Sequence, residues 1–268
     1  MNSPTRQGLT THLSIGGRLI DEGYPCYIVA ELGVNHDGQL LRAYKLIEAA
    51  AQAGANAVKF QAFNVEALVA KGHPQRELLS PLALAEGDFR MLKGRARECG
   101  VTFLCSPFDE GSVDMLARLG VPAWKVPSGE ITNLPLLAKI AAFGQPMLVS
   151  TGMANLAEVE KAVETIEREG NSQVVLLHCT SSYPTMPEDV NLRAMLTLKA
   201  AFGYPVGLSD HTMVIEVAVA AVALGACVIE KHLTLDHNAL GPDHRASLEP
   251  AQFAQMVLAI RNVEKALG

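Results

Sequence analysis

The sequence predicts an α/β protein, a (β/α)8 TIM barrel with a short N-terminal hairpin. Three observations carry that expectation. Short apolar runs alternate with amphipathic stretches eight times along the chain. The units recur at roughly 30 residues, and a barrel of this kind takes about 250 in all. The runs are near-continuous in Val, Ile, Leu and Phe, as parallel strands covered on both faces should be. A doubly wound open sheet is the rival. It usually shows a glycine-rich phosphate loop after its first strand, and ELGVNHDG is not G-x-G-x-x-G.

In chain order, residues 1–24 precede the first unit, and SIGGRLIDEG within them reads as a small hairpin plugging the barrel's N-terminal end. Residues 25–268 form the barrel. Its strands are YIVAELG, NAVKFQAF, VTFLCSPF, PAWKVPSG, PMLVSTG, VVLLHCTS, YPVGLSD and CVIEKHLT, each closing on a polar or Gly-containing turn. Helices lie between them, among them LLRAYKLIEAAAQAG, NLAEVEKAVETIEREG and MVIEVAVAAVALG, with Gly54, Gly170 and Gly225 as C-terminal caps. The closing helix, PAQFAQMVLAIRNVEKALG, opens on Pro250, whose missing N–H would have had no partner in a first turn. No linker or second domain is visible.

Composition bounds the function. A chain of 268 residues, 49% hydrophobic and 19% charged, has enough apolar material for one domain with a sizeable core. A net charge of −6 gives no reason to expect nucleic-acid binding. No run approaches the roughly 18 apolar residues of a membrane span, and the N-terminus lacks the apolar core of a signal peptide. Five cysteines without C-x-x-C spacing point to free thiols in a reducing compartment, the cytoplasm.

Strand alternation places the polar groups. Ala57, Lys59 and Gln61 share one face of the second strand, and Val58 and Phe60 share the other. The apolar pair must pack on helices, so Lys59 points into the barrel. The same count turns Glu31, Lys125, Ser209, His211, Glu230 and His232 inward, and Trp124, Val126 and Lys231 outward. The inward polar groups lie toward the C-terminal strand ends, where barrel enzymes place their active sites. Buried charges need partners, which they can find in each other or in a ligand. An internal ion-pair network that only sets register is the plain alternative to a pocket.

His211 and His232 end neighbouring strands at matching depth. Together they fit a divalent ion whose other positions go to water, substrate and carboxylate. Nitrogen ligands favour manganese, iron or zinc over magnesium. Either imidazole alone reads as an ordinary core histidine. His178 has ambiguous parity and reads as structural or supporting. Lys59 and Lys125 supply positive charge near hydroxyls at Ser106, Ser128, Ser150, Thr151, Ser181 and Ser209, a combination that suits a phosphate or carboxylate. Each hydroxyl by itself also suits a helix cap.

These residues sit in motifs that resemble a known family. IVAELGVNHDG, AGANAVKFQAF, FLCSPFDEGSVDML, WKVPSGEITNLPLL, VSTGM, LHCTSSYPTMPEDVNLRAM, GLSDHT, VIEKHLTLD and GPDHRASLEP are similar, in this order, to the sialic acid synthase family. That family includes N-acetylneuraminate, legionaminic and pseudaminic acid synthases and spore-coat polysaccharide synthases. The resemblance runs from about Tyr27 to the C-terminus. It implies a barrel that condenses phosphoenolpyruvate with an N-acylated amino sugar such as N-acetylmannosamine, releasing phosphate and giving a nine-carbon 2-keto acid. It implies manganese, with magnesium or cobalt as alternatives, on His211 and His232. Lys59 and Lys125 would contact phosphoenolpyruvate, with Ser128, Ser150 and Ser209 nearby, and Glu31, Tyr183 and Asp243 would lie near the sugar. Relatives often carry a small C-terminal antifreeze-like domain, which is absent before Gly268, and a homodimer is what the resemblance suggests.

The expected mechanism needs inward carboxylates: Glu31 beside the sugar, with Glu130 and Glu230 to stabilise a cationic C2 and orient water. Which of them is the base stays open. One alternative is a Schiff-base pyruvate aldolase using Lys59, Lys125 or Lys231, although the outward parity of Lys231 weakens it. The other is a barrel that binds sugar or phosphate and needs a partner for catalysis.

Overall fold

Residues 13–268 are described by a computed structural model with side chains. The first 12 residues, and that part of the 1–24 extension, lie outside the described residues. The hairpin pairs β1 (Ser14–Ile15) antiparallel to β2 (Arg18–Leu19). Gly16 and Gly17 form its two-residue turn with φ of +58° and +80°, a region that side chains other than glycine's resist.

The remaining elements alternate. They are β3 (Tyr27–Gly33), α1 (Leu40–Gln52), β4 (Ala57–Ala62), α2 (Val65–Leu68), α3 (Gln75–Leu79), α4 (Glu86–Glu98), β5 (Thr102–Pro107) and α5 (Glu110–Leu119). Then come β6 (Trp124–Val126), α6 (Leu134–Ala141), β7 (Met147–Ser150), α7 (Leu156–Arg168), β8 (Val174–Cys179) and α8 (Arg193–Phe202). The chain closes with β9 (Val206–Asp210), α9 (Glu216–Ala223), β10 (Val228–His232) and α10 (Pro250–Leu267). Short helices α2 and α3 extend the connection after β4; at 4 and 5 residues each is too short to show a helical period in the sequence.

The eight strands β3 to β10 form one parallel sheet in the order β5-β4-β3-β10-β9-β8-β7-β6. Strand β10 pairs with β3, so the sheet wraps round on itself. Only the seam between β5 and β6 lacks a ladder among the described residues. Pro107, Pro122 and Pro127 stand at that seam, and none has an N–H to donate. The result is a nearly closed (β/α)8 barrel, as the alternation predicts.

Two cores follow from strand alternation. The outward residues Ile28, Val58, Phe60, Phe103, Trp124, Val149, Leu176 and Ile229 pack against the helices. The inward residues Tyr27, Val29, Ala57, Leu104, Ala123, Leu148, Val175, Leu177 and Val228 form a second, smaller core together with Leu13, Ile15 and Ile20 of the hairpin. The hairpin therefore plugs the N-terminal end. The three cap glycines all take positive φ, and α7 carries a capping box between Asn155 and Glu158. Above the apolar floor the barrel interior turns polar, and that change positions the site.

Candidate active site at the C-terminal mouth

In seven of the eight strands the inward row, continued by two residues, reaches a polar side chain. Val29 gives way to Glu31, Ala57 to Lys59, Leu104 to Ser106, Ala123 to Lys125, Leu148 to Ser150, Gly207 to Ser209 and Val228 to Glu230. Parallel register then sets neighbours: Glu31 lies opposite Lys59 on one side and His232 on the other, and Glu230 opposite Ser209. All of these are buried at the foot of the mouth.

Glu31, Lys59, Lys125 and Glu230 form one charged cluster. Lys59 Nζ lies 2.6 Å from Glu31 Oε2 and 3.7 Å from Glu230 Oε1. Lys125 Nζ lies 3.5 Å from that same Glu230 oxygen. Lys59 donates to Ser106 Oγ at 3.0 Å, Lys125 to Ser150 Oγ at 2.8 Å, and Ser209 to Glu230 Oε1 at 3.1 Å. Gln61 donates to Glu31 Oε1 at 3.0 Å.

Burial pushes the Glu31 carboxyl up despite the lysine beside it. Burial also acts to raise Glu230, but Lys125, Lys59 and His211 together outweigh it and hold that carboxyl below its ordinary value. Burial would lower Lys59, yet Glu230 and Glu31 reverse the shift and raise it. Lys125 ends up lowered, by burial first of all. Its single carboxylate partner among the described residues is one it shares with Lys59. This is the least compensated charge in the pocket, and an incoming anion would supply its missing partner.

The opposite wall is built by β8, β9, β10 and their loops. The His211 and His232 rings are 5.3 Å apart, with Tyr183 against both at 4.1 and 5.8 Å. His211 Nδ1 lies 2.8 Å from the carbonyl oxygen of Thr180. A carbonyl only accepts, so Nδ1 carries a proton, and Nε2 is the nitrogen that could ligate a metal once it has lost its own. His232 Nδ1 is buried without a hydrogen-bond partner, and Asp243 Oδ2 stands 3.7 Å away. Burial, then the positive charge of His211 and the lysines, holds His232 well below the usual range, so it is neutral. Burial raises Asp243 to about 6, with Glu31 adding to the shift. No group of three or more His, Cys, Asp or Glu among the described residues stands in metal-binding geometry. A cation held here would complete its shell with substrate or water.

The other expected residues fall at different distances from this cluster. Ser128 Oγ accepts from the Gly152 N–H at 3.0 Å, where a Cβ on Gly152 would come within 2.8 Å of the Cys179 carbonyl and Ser181 Oγ. Ser181 and Tyr183 are exposed at the rim, and Thr151 is buried with its hydroxyl on Leu177 O. Glu130 departs from expectation. The chain leaves β6 at Pro127 and enters a 3-10 turn at Ser128–Glu130, so strand parity no longer applies. Its carboxylate accepts from Asn133 at 2.8 Å, and among the described residues it forms no ion pair with Lys59 or Lys125. His178 faces outward, bonded to Val190 O at 2.5 Å, and is structural. Lys231 also faces outward and is fully buried against Asp210.

Four further residues take part to which the sequence alone assigns no role. Gln61 shares the parity of Lys59 and could have been read as a Glu31 partner. Cys179 shares the parity of Leu177, and its sulfur lies 3.9 Å from His211 Nδ1. Asn35 donates to Leu233 O and Ser247 Oγ at 3.0 and 2.9 Å, and His244 bridges Thr234 and Asp37 at 2.7 and 3.0 Å. These last two tie the loop carrying Asp243 to the loop after β3, and only the folded barrel brings them together.

Known proteins resemble this chain along most of its length. Residues 46–268 match the NeuB family. An N,N'-diacetyllegionaminic acid synthase of Campylobacter jejuni is 47% identical over 257 residues, covering 90% of this chain and 77% of that protein. Human N-acetylneuraminate-9-phosphate synthase is 41% identical over 266 residues, covering 94% and 74%. The crystal structure of N-acetylneuraminic acid synthetase from Leptospira borgpetersenii, in complex with citrate, is similar at a TM-score of 0.92. It is 38% identical and covers 96% of this chain and 90% of that one.

Proposed function

The chain belongs to the NeuB family of sialic acid-type synthases, and from that premise we propose that it condenses phosphoenolpyruvate with an N-acylated amino sugar to give a nine-carbon 2-keto acid and phosphate. The observation that carries this reading is one barrel mouth with two buried ammonium groups on one side and two imidazoles on the other.

Lys59 and Lys125 hold the phosphate and carboxylate of the donor. The Ser106 and Ser150 oxygens already accept from these lysines, and Ser128 accepts from Gly152, so each O–H is left to donate to the anion. This is preorganised electrostatics, in place before substrate arrives. The unpartnered buried nitrogen of His232, the His211 Nε2 left over when Nδ1 meets Thr180 O, and the nearby Asp243 carboxylate fit a divalent cation, manganese first, with magnesium or cobalt as alternatives. Held by His211 and His232, it would supply Lewis-acid polarisation of the open-chain sugar's aldehyde oxygen.

Tyr183 and Asp243 line the sugar's side of the mouth. The donor's methylene carbon bonds to the aldehyde carbon as the C=O π bond opens, positive charge develops at C2, and the aldehyde oxygen ends as a hydroxyl with the proton released by the water that adds at C2. Glu230 stays ionised between its two lysines, and its Oε2 has no hydrogen-bond partner, so it can stabilise C2 and orient the water that adds there. Phosphate then leaves with the bridging oxygen by C–O cleavage. The unpaired cysteines fit a reducing compartment, and no helix among the described residues is long and apolar enough to cross a membrane.

Phosphate release from phosphoenolpyruvate, measured across a panel of N-acylated hexosamines with Mn2+ and again after chelation, tests this. Release should require both an acceptor and the divalent ion. The Schiff-base alternative finds its amine in Lys125, whose pKa burial lowers. Borohydride trapping of pyruvate on a chelated enzyme would overturn the proposal in its favour.

A further inference from the structure

Directly behind the imidazole pair, on the helix-facing side of the sheet, lies a wholly buried ion pair that the proposed chemistry does not use. Lys231 is 0% exposed and Asp210 2% exposed. Lys231 Nζ meets Asp210 Oδ2 at 2.6 Å, Thr212 O at 2.6 Å, Thr212 Oγ1 at 3.2 Å and Val214 O at 3.1 Å. Asp210 Oδ1 accepts from the Thr212 N–H at 2.8 Å. Asp210 and Thr212 flank His211, and Lys231 precedes His232 by one residue. Lys231 and Asp210 are also register partners in the β9–β10 ladder.

We propose that the Lys231–Asp210 pair is a positioning device for His211 and His232. It clamps the ends of β9 and β10, and the turn after β9, at the spacing that lets both imidazoles reach one divalent cation. The inference rests on the reading of those two residues as ligands given above. Alternation within β10 sets Lys231 outward and His232 inward, and His211, one residue past the end of β9, is held between Asp210 and Thr212, which both bond to Lys231. Three of the four acceptors around that ammonium belong to Thr212 and Val214, so the turn after Asp210 is tied to it. A buried ion pair is weak evidence for stability, since apolar residues of similar volume often serve the fold as well or better. Its best-attested use is to set register, and outer-shell partners of metal ligands alter affinity by about 10–100-fold when removed. The four bonds on Lys231 Nζ also remove it as a Schiff-base nucleophile.

The test compares the wild-type chain with the Asp210→Leu/Lys231→Met double variant, both stripped of metal. Mn2+ affinity is read by electron paramagnetic resonance titration, phosphoenolpyruvate affinity without metal by calorimetry, and folding by thermal melting. The expected result is Mn2+ binding weakened at least 10-fold. Phosphoenolpyruvate binding should hold within about 2-fold and melting within a few degrees, since apolar replacements spare the fold. A merely structural pair would instead move melting and leave the Mn2+ constant alone. A folded double variant that binds Mn2+ within about 2-fold of wild type overturns the inference while leaving the ligand reading intact. A wild-type chain that binds no Mn2+ removes the ligand reading and the inference with it. Should the double variant not fold, Asp210→Asn/Lys231→Gln keeps hydrogen-bonding groups without the charges and is judged by the same two Mn2+ outcomes.

Discussion

Glu230 is the residue on which the charged cluster balances. One of its oxygens serves two lysines and a serine, and its other has no partner. Glu230→Gln should lower kcat by about 10²–10³-fold, the range seen when one preorganised electrostatic group is lost. The phosphoenolpyruvate KM should hold or fall, because the pocket becomes more positive. Steady-state kinetics would show the reverse, a raised KM with kcat kept, if Glu230 only structured the lysines. His36 gives a pH prediction. It is buried, its Nδ1 accepts from the Gly38 N–H at 3.0 Å, and burial holds its pKa at about 4 against 6.5 unfolded. A depressed folded pKa means this contribution is intact above pH 6.5 and is lost as pH falls toward 4. The loss reaches about 3 kcal/mol in all, about 2 of it by pH 5. Urea unfolding at pH 7.5 and 5.0 should show this fall in wild type and a smaller one in His36→Gln.

Among the elements, the hairpin separates folding from chemistry. Ile15 is fully buried in the floor of the barrel, at the opposite end from the charged cluster. Ile15→Ala should cost about 3 kcal/mol through lost contact and a cavity. The phosphoenolpyruvate KM should not change, and urea unfolding beside kinetics checks both halves. Element by element, the sequence was legible wherever regular alternation ran on. Lys59, Lys125, Glu230 and His232 take the faces that parity assigns them, because each sits within a strand whose apolar neighbours must meet helices. Legibility stopped where strands stopped. Glu130 follows a proline that ends β6, and Ser181 follows the end of β8, so period-two counting no longer reports direction for either. Nothing local to His244 announces its bond to Asp37, since the two are 207 residues apart.

At the scale of the whole molecule, the barrel supplies a gradient from an apolar floor to a charged mouth. Strand order and register follow from eight repeats of one unit, which is why the fold could be read from spacing alone. The pocket's electrostatics could not. The opposite shifts of Glu31 and Glu230 depend on which lysine lies within 4 Å of which oxygen, and that distance is a property of the closed sheet. The proposed function requires that the barrel mouth act on phosphoenolpyruvate so that water enters at C2 and phosphate departs with the bridging oxygen. Turnover in oxygen-18 water, read by mass spectrometry of both products, tests that most directly. Label should appear in the 2-keto acid and not in the phosphate; label in the phosphate would overturn the proposed reaction.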